Sequence, residues 1–175
     1  VPLDSFLTNY LVPGGIYWAS YNYNGWGPLA DYNYSNVGVS LVAYLVETIS
    51  NIPFAQYCKD SLFIPLGMNE TAWFLSDLDT NNIAVPYHYI GGTNIPYPHY
   101  GEAFYPSSGL MTSAVQLARF LNAFMQNGQI DGVRILDSTT VDLMTTVQFP
   151  WLNDQQALIW FIYPWTIPGF GTYTL

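Results

Sequence analysis

Residues 32–71 decide the fold, and they read YNYSNVGVSLVAYLVETISNIPFAQYCKDSLFIPLGMNET. Apolar side chains in residues 37–50 recur four positions apart with others beside them, which predicts a helix with a broad apolar face. Pro53 suits the first turn of a second helix, because the backbone N–H that proline lacks has no helical partner there. We expect this second helix to run to about Phe63, just before Pro65.

Tyr34-Ser35-Asn36 stands at the start of the first predicted helix. A tyrosine and an asparagine two residues apart at a helix start can present a phenol and a carboxamide to one side of a cleft. The same residues can instead orient the helix start, with Asn36 as the N-cap, because an asparagine side chain accepts a hydrogen bond from the first turn. The spacing alone leaves both interpretations open.

A second informative segment, residues 105–129, reads YPSSGLMTSAVQLARFLNAFMQNGQ. The two segments together closely resemble the serine β-lactamase and penicillin-binding-protein family, in its class C-like and esterase-like branch. The order also resembles the family, with the tyrosine motif first, then Pro65-Leu66-Gly67-Met68, then the glycine turn and its helix. The resemblance extends over nearly all of the chain. It implies an α+β fold, here mostly the helical region plus C-terminal strands that return to the sheet.

The chemistry implied by the resemblance is acyl transfer by a serine that a lysine three residues later activates, since such a nucleophile needs a base within hydrogen-bond reach. In that scheme Tyr34 would be catalytic and would move protons between the serine and the leaving group. Asn36 would bind the carbonyl of the substrate's side-chain amide. The chain has a single lysine, Lys59, and Gln56 stands three positions before it, so the sequence contains no Ser-x-x-Lys.

The family's third element, Lys/His-x-Gly, is matched in letters by His99-Tyr100-Gly101, but this stretch precedes the glycine turn instead of following it. We interpret it as a coincidence within a loop. We therefore expect residues 1–175 to be one partial β-lactamase-like domain whose N-terminal and C-terminal parts are missing. The nucleophile helix would lie upstream of Val1 and the third element soon after Leu175, so we expect this chain alone to be inactive.

The protonation state of Tyr34 supports the same expectation. An ordinary tyrosine ionises only near pH 10, so it needs adjacent positive charge to act as a base. The permanent cations of the chain are Lys59, Arg119 and Arg134, and none is close to Tyr34 in sequence. We expect Tyr34 to be a neutral phenol in this chain.

Composition limits the possible partners. The net charge is −9, from 12 acidic and 3 basic residues, so no basic surface is available for a nucleic-acid backbone or an anionic membrane. No apolar run reaches the roughly 20 residues that span a bilayer. Charged residues make up 9% and aromatic residues 18% of the chain, whereas about 25% charged is usual. We expect extensive contact surfaces, covered by the missing half of the domain, by a partner chain or by self-association.

Two glycosylation sequons occur, Asn33-Tyr34-Ser35 and Asn69-Glu70-Thr71. Each matters only in a secreted protein, and the acidic, lysine-poor composition favours an extracellular or otherwise extracytoplasmic location. Asn69 is the better acceptor, because it follows the helix-ending Pro-Leu-Gly-Met turn. A glycan on Asn33 would obstruct a working cleft at Tyr34. An alternative function follows, a non-catalytic secreted structural or assembly glycoprotein that retains the hydrolase-like fold.

No cofactor or metal is expected. His88 and His99 lie eleven residues apart without Cys, Asp or Glu at ligand spacing, so we predict no metal site. Cys58 falls inside the second helix and is interpreted as a small core residue. Aromatic side chains early in the chain could form a sugar-stacking platform, although packing is the favoured interpretation: Trp18, Tyr21, Tyr23, Trp26 and Tyr32.

The remaining pattern predicts a few further elements. Gly91-Gly92 should join residues 83–89 and 93–100 as an irregular hairpin or as paired loops. Ser113 and Gln116 match a capping box, and Gly128 should end the helix that it opens. Asp137-Ser138 should cap another helix through Thr146. The continuous apolar run over residues 157–163 predicts a buried strand, with residues 170–175 as its hairpin partner.

Overall fold

The structure is a computed structural model that describes residues 1–174. Two compact units are present: unit 1 comprises residues 1–22 and 35–119, and unit 2 comprises residues 23–34 and the chain from Phe120 onward. The helices of the described residues are α1 (Leu3–Leu11), α2 (Asn36–Ser50), α3 (Phe54–Cys58), α4 (Ala114–Met125) and α5 (Ser138–Thr145). The mixture of helices with small antiparallel sheets confirms the predicted α+β class.

Six short strands form three two-stranded sheets within the described residues. The strands are β1 (Tyr87–Ile90), β2 (Thr93–Pro96), β3 (Gln129–Ile130), β4 (Val133–Arg134), β5 (Pro164–Ile167) and β6 (Gly171–Thr174). Each sheet is a hairpin of consecutive strands, β1 with β2, β3 with β4 and β5 with β6. The hairpin interpretation of the segments around Gly91-Gly92 is confirmed, and the strands are shorter than the predicted segments.

The first core cluster of unit 1 lies between α1 and α2. Leu3, Phe6 and Leu7 recur at helical spacing, so α1 presents them on one face, where they pack against Ala43 of α2. Phe6 also lies 5.9 Å from Phe104, measured between ring centroids. This cluster fixes the helix that carries Asn36 against the start of the chain.

The second core cluster of unit 1 is aromatic. The Trp73 ring centroid lies 5.3 Å from Phe54, 5.6 Å from Phe63 and 5.7 Å from Tyr105, the last edge-on. Aromatic pairs at these separations add stabilisation beyond the area that they bury. Leu66 is completely buried, so the Pro-Leu-Gly-Met turn is part of the hydrophobic interior.

The two helices predicted from residues 37–63 are confirmed. Asn51 ends α2 in the left-handed conformation, with φ of +56°, and Pro53 is the N-cap of α3. The helix continues past Cys58 as a π-helical turn over Lys59–Phe63. Cys58 is 4% exposed, which confirms its interpretation as a core residue.

The backbone of unit 2 depends on a glycine at the predicted helix end. Gly128 has φ of +85°, and a Cβ atom at that position would lie 2.1 Å from the Leu136 carbonyl oxygen. Arg134 donates hydrogen bonds to the carbonyls of Asn127 and Leu136 at 2.9 and 2.8 Å. The β3–β4 hairpin is therefore held against the end of α4 by the Arg134 side chain and by the backbone bond from Ile135 N to Gly128 O at 2.8 Å.

The strand predicted over residues 157–163 is wrong. Ala157 N donates to Trp160 O at 2.8 Å and closes a tight turn, and Ile159 has a left-handed φ of +65°. An isolated bridge between Gln156 and Phe161 is the β-pairing of this stretch. The regular strand begins later, at Pro164, and pairs with β6. Leu175, the end of the predicted partner strand, lies outside the described residues.

No single helix among residues 1–174 is long and apolar enough to cross a bilayer. One bent pair, Asn36–Ser50 with Phe54–Phe63, reaches that length and composition only when the two helices are combined across a 79° bend.

Candidate functional site

The start of α2 is set by Ser35. Its backbone is extended, with φ of −146° and ψ of 112°, and its Oγ accepts a hydrogen bond from Gly38 N at 2.9 Å. Ser35 is therefore the N-cap. The interpretation of Asn36 as the N-cap is wrong, because Asn36 already has helical geometry as the first residue of α2.

Asn36 is half-buried and belongs to unit 1. Its carbonyl oxygen lies 3.0 Å from the hydroxyl of Ser40, which is fully buried and also lies 3.2 Å from the Phe104 carbonyl. This hydroxyl connects the first turn of α2 to the segment just before the 3₁₀ turn Tyr105–Ser107. Ser40 thus links α2 to the residue that immediately precedes the second informative segment.

Tyr34 precedes the cap and belongs to unit 2, where its side chain is 63% exposed. Its catalytic role remains a prediction. Arg134, a cation of the same unit, directs its guanidinium to the Asn127 and Leu136 carbonyls and to Gln129 Oε1 at 2.6 Å. That guanidinium is engaged in holding the β3–β4 hairpin.

Both predicted glycosylation asparagines are exposed. Asn33, in unit 2, donates from Nδ2 to Asn24 Oδ1 at 3.0 Å. Asn69 stands in the turn after Met68, whereas the Thr71 hydroxyl of its sequon is buried. The attachment of glycan to either asparagine remains a prediction.

The buried Thr71 hydroxyl belongs to a polar network that joins two loops of unit 1. It donates to Gln116 Oε1 at 2.7 Å and lies 2.7 Å from Thr112 Oγ1. Gln116 Oε1 also accepts from Glu70 N at 3.1 Å. The predicted capping box is therefore half formed: Ser113 Oγ accepts from Gln116 N at 3.3 Å, while the glutamine side chain turns to Glu70 and Thr71.

The strongest electrostatic perturbations occur away from Tyr34, in the aromatic core of unit 1. Burial raises the pKa of the Cys58 thiol to about 12. Burial, and then the nearby Glu47 carboxylate, raise the pKa of Tyr105 to about 12. Glu47 Oε1 also accepts from Phe54 N at 2.7 Å and so supports the start of α3. Sequence reasoning missed this cluster, although a lone acid in an otherwise uncharged apolar helix was the available signal.

Within residues 1–174, no three His, Cys, Asp or Glu side chains are grouped in a way that could hold a metal ion. The two histidines of the chain lie in different surroundings. His88 stacks on Tyr97 with ring centroids 4.1 Å apart, and His99 lines two adjoining cavities of unit 1.

The family described as Beta-lactamase matches residues 21–175. The chain belongs to the β-lactamase family. This finding confirms the resemblance that the tyrosine motif and the glycine turn carry.

Three similar proteins extend the comparison. Protein Rv1367c of Mycobacterium tuberculosis is 26% identical over 145 residues, which are 76% of this chain and 35% of that protein. The octameric penicillin-binding protein homologue from Pyrococcus abyssi superimposes with a TM-score of 0.61 at 22% identity, over 86% of this chain and 37% of that one. The penicillin binding protein from Bacillus halodurans superimposes with a TM-score of 0.62 at 19% identity, over 84% of this chain and 42% of that one.

These structural matches show the shared fold. The chain spans 35% to 42% of the length of these three proteins.

Proposed function

We propose that this chain is part of a serine hydrolase of the β-lactamase, D-alanyl peptidase or esterase type, which opens an amide, ester or lactam through an acyl-enzyme. The observation that supports this function is an exposed Tyr34 directly before the Ser35-capped start of α2, in a chain of the β-lactamase family. Tyr34 would move protons to and from the reacting groups. Asn36 would bind the substrate's amide carbonyl.

The proposal assigns the nucleophile to polypeptide outside residues 1–175. The sequence contains no Ser-x-x-Lys, and a phenol with a carboxamide cannot replace a serine that a lysine activates. Reading the flanking sequence of the parent protein is the first test. We expect Ser-x-x-Lys upstream of Val1 and Lys/His-x-Gly soon after Leu175. Other residues at both places would identify a non-catalytic relative.

Hydrolysis assays test the roles directly. The 175-residue chain is expected to turn over neither nitrocefin nor p-nitrophenyl esters. In the full-length parent, Tyr34→Phe should lower kcat by roughly 10²- to 10⁴-fold, which is the contribution of a positioned proton-transfer group.

Tyr32→Phe is the matched control, because Tyr32 is two residues away and its hydroxyl donates to Gln156 Oε1 at 2.8 Å. Equal losses in the two variants would contradict a catalytic role for Tyr34. Turnover by the isolated chain that Tyr34→Phe abolishes would contradict the assignment of the nucleophile to other polypeptide.

A second candidate function is a secreted structural or assembly glycoprotein without hydrolase chemistry. The exposure of both sequon asparagines favours it, together with the low charged fraction of 9%. Glycopeptide mass analysis of the protein from a secreting host distinguishes the candidates. Glycan on Asn33 supports the structural function because it would stand next to Tyr34, whereas an unmodified Asn33 supports the hydrolase.

The partner that we propose is the complementary part of the same domain. In the β5–β6 hairpin, Trp165 and Tyr173 are directly opposite each other and exposed, and no charged residue occurs in residues 155–175. An exposed apolar face beside open strand edges is a template for association. We expect the isolated chain to self-associate at micromolar concentration in sedimentation velocity. A stable, cooperatively folding monomer would overturn this proposal.

A further inference from the structure

Two adjoining cavities of unit 1 form one groove, with volumes of about 390 and 450 Å³. They share the lining residues His99, Leu110 and Met111. Met111 is paired with Ala72 by backbone hydrogen bonds of 2.9 and 3.1 Å, so the shared wall is fixed by the backbone. Each volume lies within the range of roughly 300 to 1,000 Å³ that is usual for small-molecule sites.

One wall of the groove is aromatic. The first cavity is lined by the rings of Trp73, Phe74, Tyr97 and Tyr100. Tyr100 is 75% exposed, and Phe74 is exposed as well, whereas Trp73 is held in place by the aromatic core. A ring wall with accessible faces favours an apolar body and attracts organic cations through the ring quadrupole.

The charges of the groove have one sign. Glu102 lines the first cavity, Glu70 and Asp79 line the second, and the lining of neither contains Lys or Arg. Glu102 is half-buried and accepts a hydrogen bond from the neutral Ser108 hydroxyl. Glu70 accepts from the neutral Gln116 side chain at 3.2 Å. Neutral donors orient these carboxylates but leave their charge uncompensated.

We propose that this aromatic groove binds a short peptide that carries an ammonium group, with its apolar side chain against the rings and its cation near Glu102. Charge complementarity selects the cation, because an anionic ligand would meet like charge from both cavities. The aromatic wall selects an organic cation over a metal ion. The site goes beyond the proposed acyl transfer, since Asn36 lines neither cavity and the binding needs no nucleophile.

Calorimetric titration of the full-length parent protein tests the groove with two matched probes, acetyl-Phe-Lys-amide and acetyl-Phe-Glu-amide. We expect the lysine probe to bind roughly tenfold more tightly at low ionic strength, because the two probes differ in one side chain, which carries opposite charge. That preference should shrink in about 0.5 M salt, where the Debye length is only a few ångströms. Equal affinities for the two probes would overturn the proposal.

Two variants locate the binding. Glu102→Gln should remove most of the lysine preference, whereas Asp60→Asn, the same charge change at an exposed carboxylate outside both cavities, should leave it intact. Equal effects of these variants would show a general charge effect and overturn the site. Tyr100→Ala, at a position that is 75% exposed, should weaken both probes about fivefold through the loss of ring contact. Unchanged affinity in that variant would also contradict the assignment.

Discussion

Unit 1 and unit 2 differ in how they use their apolar side chains. Of the buried apolar residues described, ten lie in unit 1 and four in unit 2. Two of the four in unit 2 are alanines, Ala123 and Ala157, while large side chains of that unit such as Trp151, Trp165 and Phe170 are exposed. Unit 1 is therefore stabilised by side-chain packing of its own. Unit 2 has a smaller packed cluster, in which Trp160 stacks on Phe124 with ring centroids 4.3 Å apart, and it exposes more of its large aromatic side chains.

The largest expected effect concerns the packed core of unit 1. Leu66→Ala removes a side chain with no exposed area and should lower the free energy of unfolding by about 2–5 kcal/mol, through lost transfer energy and a residual cavity. Ile49→Ala is the control, because Ile49 is 85% exposed and should change stability by less than about 0.5 kcal/mol. Urea unfolding at equal protein concentrations measures both. Similar losses would refute a packing-dominated unit 1.

A backbone change should have the next largest effect, in unit 2. Gly128→Ala combines φ of +85° with a contact of 2.1 Å to the Leu136 carbonyl, and should cost about 3 kcal/mol as strain that the loop must absorb. Gly132→Ala has φ of +80° but open space around its Cβ position, so about 1 kcal/mol is expected. Thermal unfolding followed by near-ultraviolet circular dichroism would report the loss around Trp160. A smaller loss for Gly128 than for Gly132 would contradict the role of the turn.

The pH dependence of the free energy of unfolding tests the burial of two side chains in unit 1. Burial holds the pKa of Cys58 and of Tyr105 near 12 in the folded state, above their ordinary values of 9.0 and 10.0. The unfolded chain releases these protons first, so the stabilisation is present below pH 9 for Cys58 and below pH 10 for Tyr105, and it is lost as the pH rises towards 12. Each group should steepen the decline within its own window, by less than the single-proton limit of about 1.4 kcal/mol per pH unit.

Cys58→Ala isolates one of these contributions. Unfolding free energies measured between pH 8 and pH 11 should fall less steeply in this variant than in the parent chain. Tyr105→Phe should reduce the slope in the upper part of the same window. Identical slopes in all three proteins would mean that neither group is buried as the structure has it.

The smallest effect is expected at the start of α2. Ser35→Ala removes the hydroxyl that accepts from Gly38 N and should cost about 1 kcal/mol. Ser35→Asn keeps an acceptor and should restore most of that loss. If Asn36→Ala had the larger effect on stability, the assignment of Ser35 as the cap would be wrong.

Short-range sequence patterns correctly predicted the helices. The two helices of residues 37–63 follow from apolar periodicity and from Pro53, and both are present. The prediction of Asn36 as the N-cap failed because serine and asparagine are about equally good N-caps. Only the backbone angles at Ser35 distinguish the two residues. The predicted capping box is only half formed for a tertiary reason, because the Gln116 side chain binds Glu70 and Thr71 instead of the start of its own helix.

The strand predicted over residues 157–163 shows a different limit. An apolar run of seven residues is compatible with a buried strand or with an exposed turn, because hydrophobicity alone does not set backbone angles. The left-handed Ile159 breaks the extended conformation there. The paired strand is instead Pro164–Ile167. The turn between it and Gly171–Thr174 sets the antiparallel register of the two strands.

The sequence by itself determined the family, the α+β class and the positions of most helices, because a motif order and a 3.6-residue periodicity survive in the linear chain. It also named Tyr34 and Asn36 as candidates. Only the tertiary structure decided which groups are buried together: the Glu47, Cys58 and Tyr105 cluster and the aromatic groove join residues far apart in sequence. Burial and shared electrostatics depend on three-dimensional proximity, and no spacing along the chain encodes them.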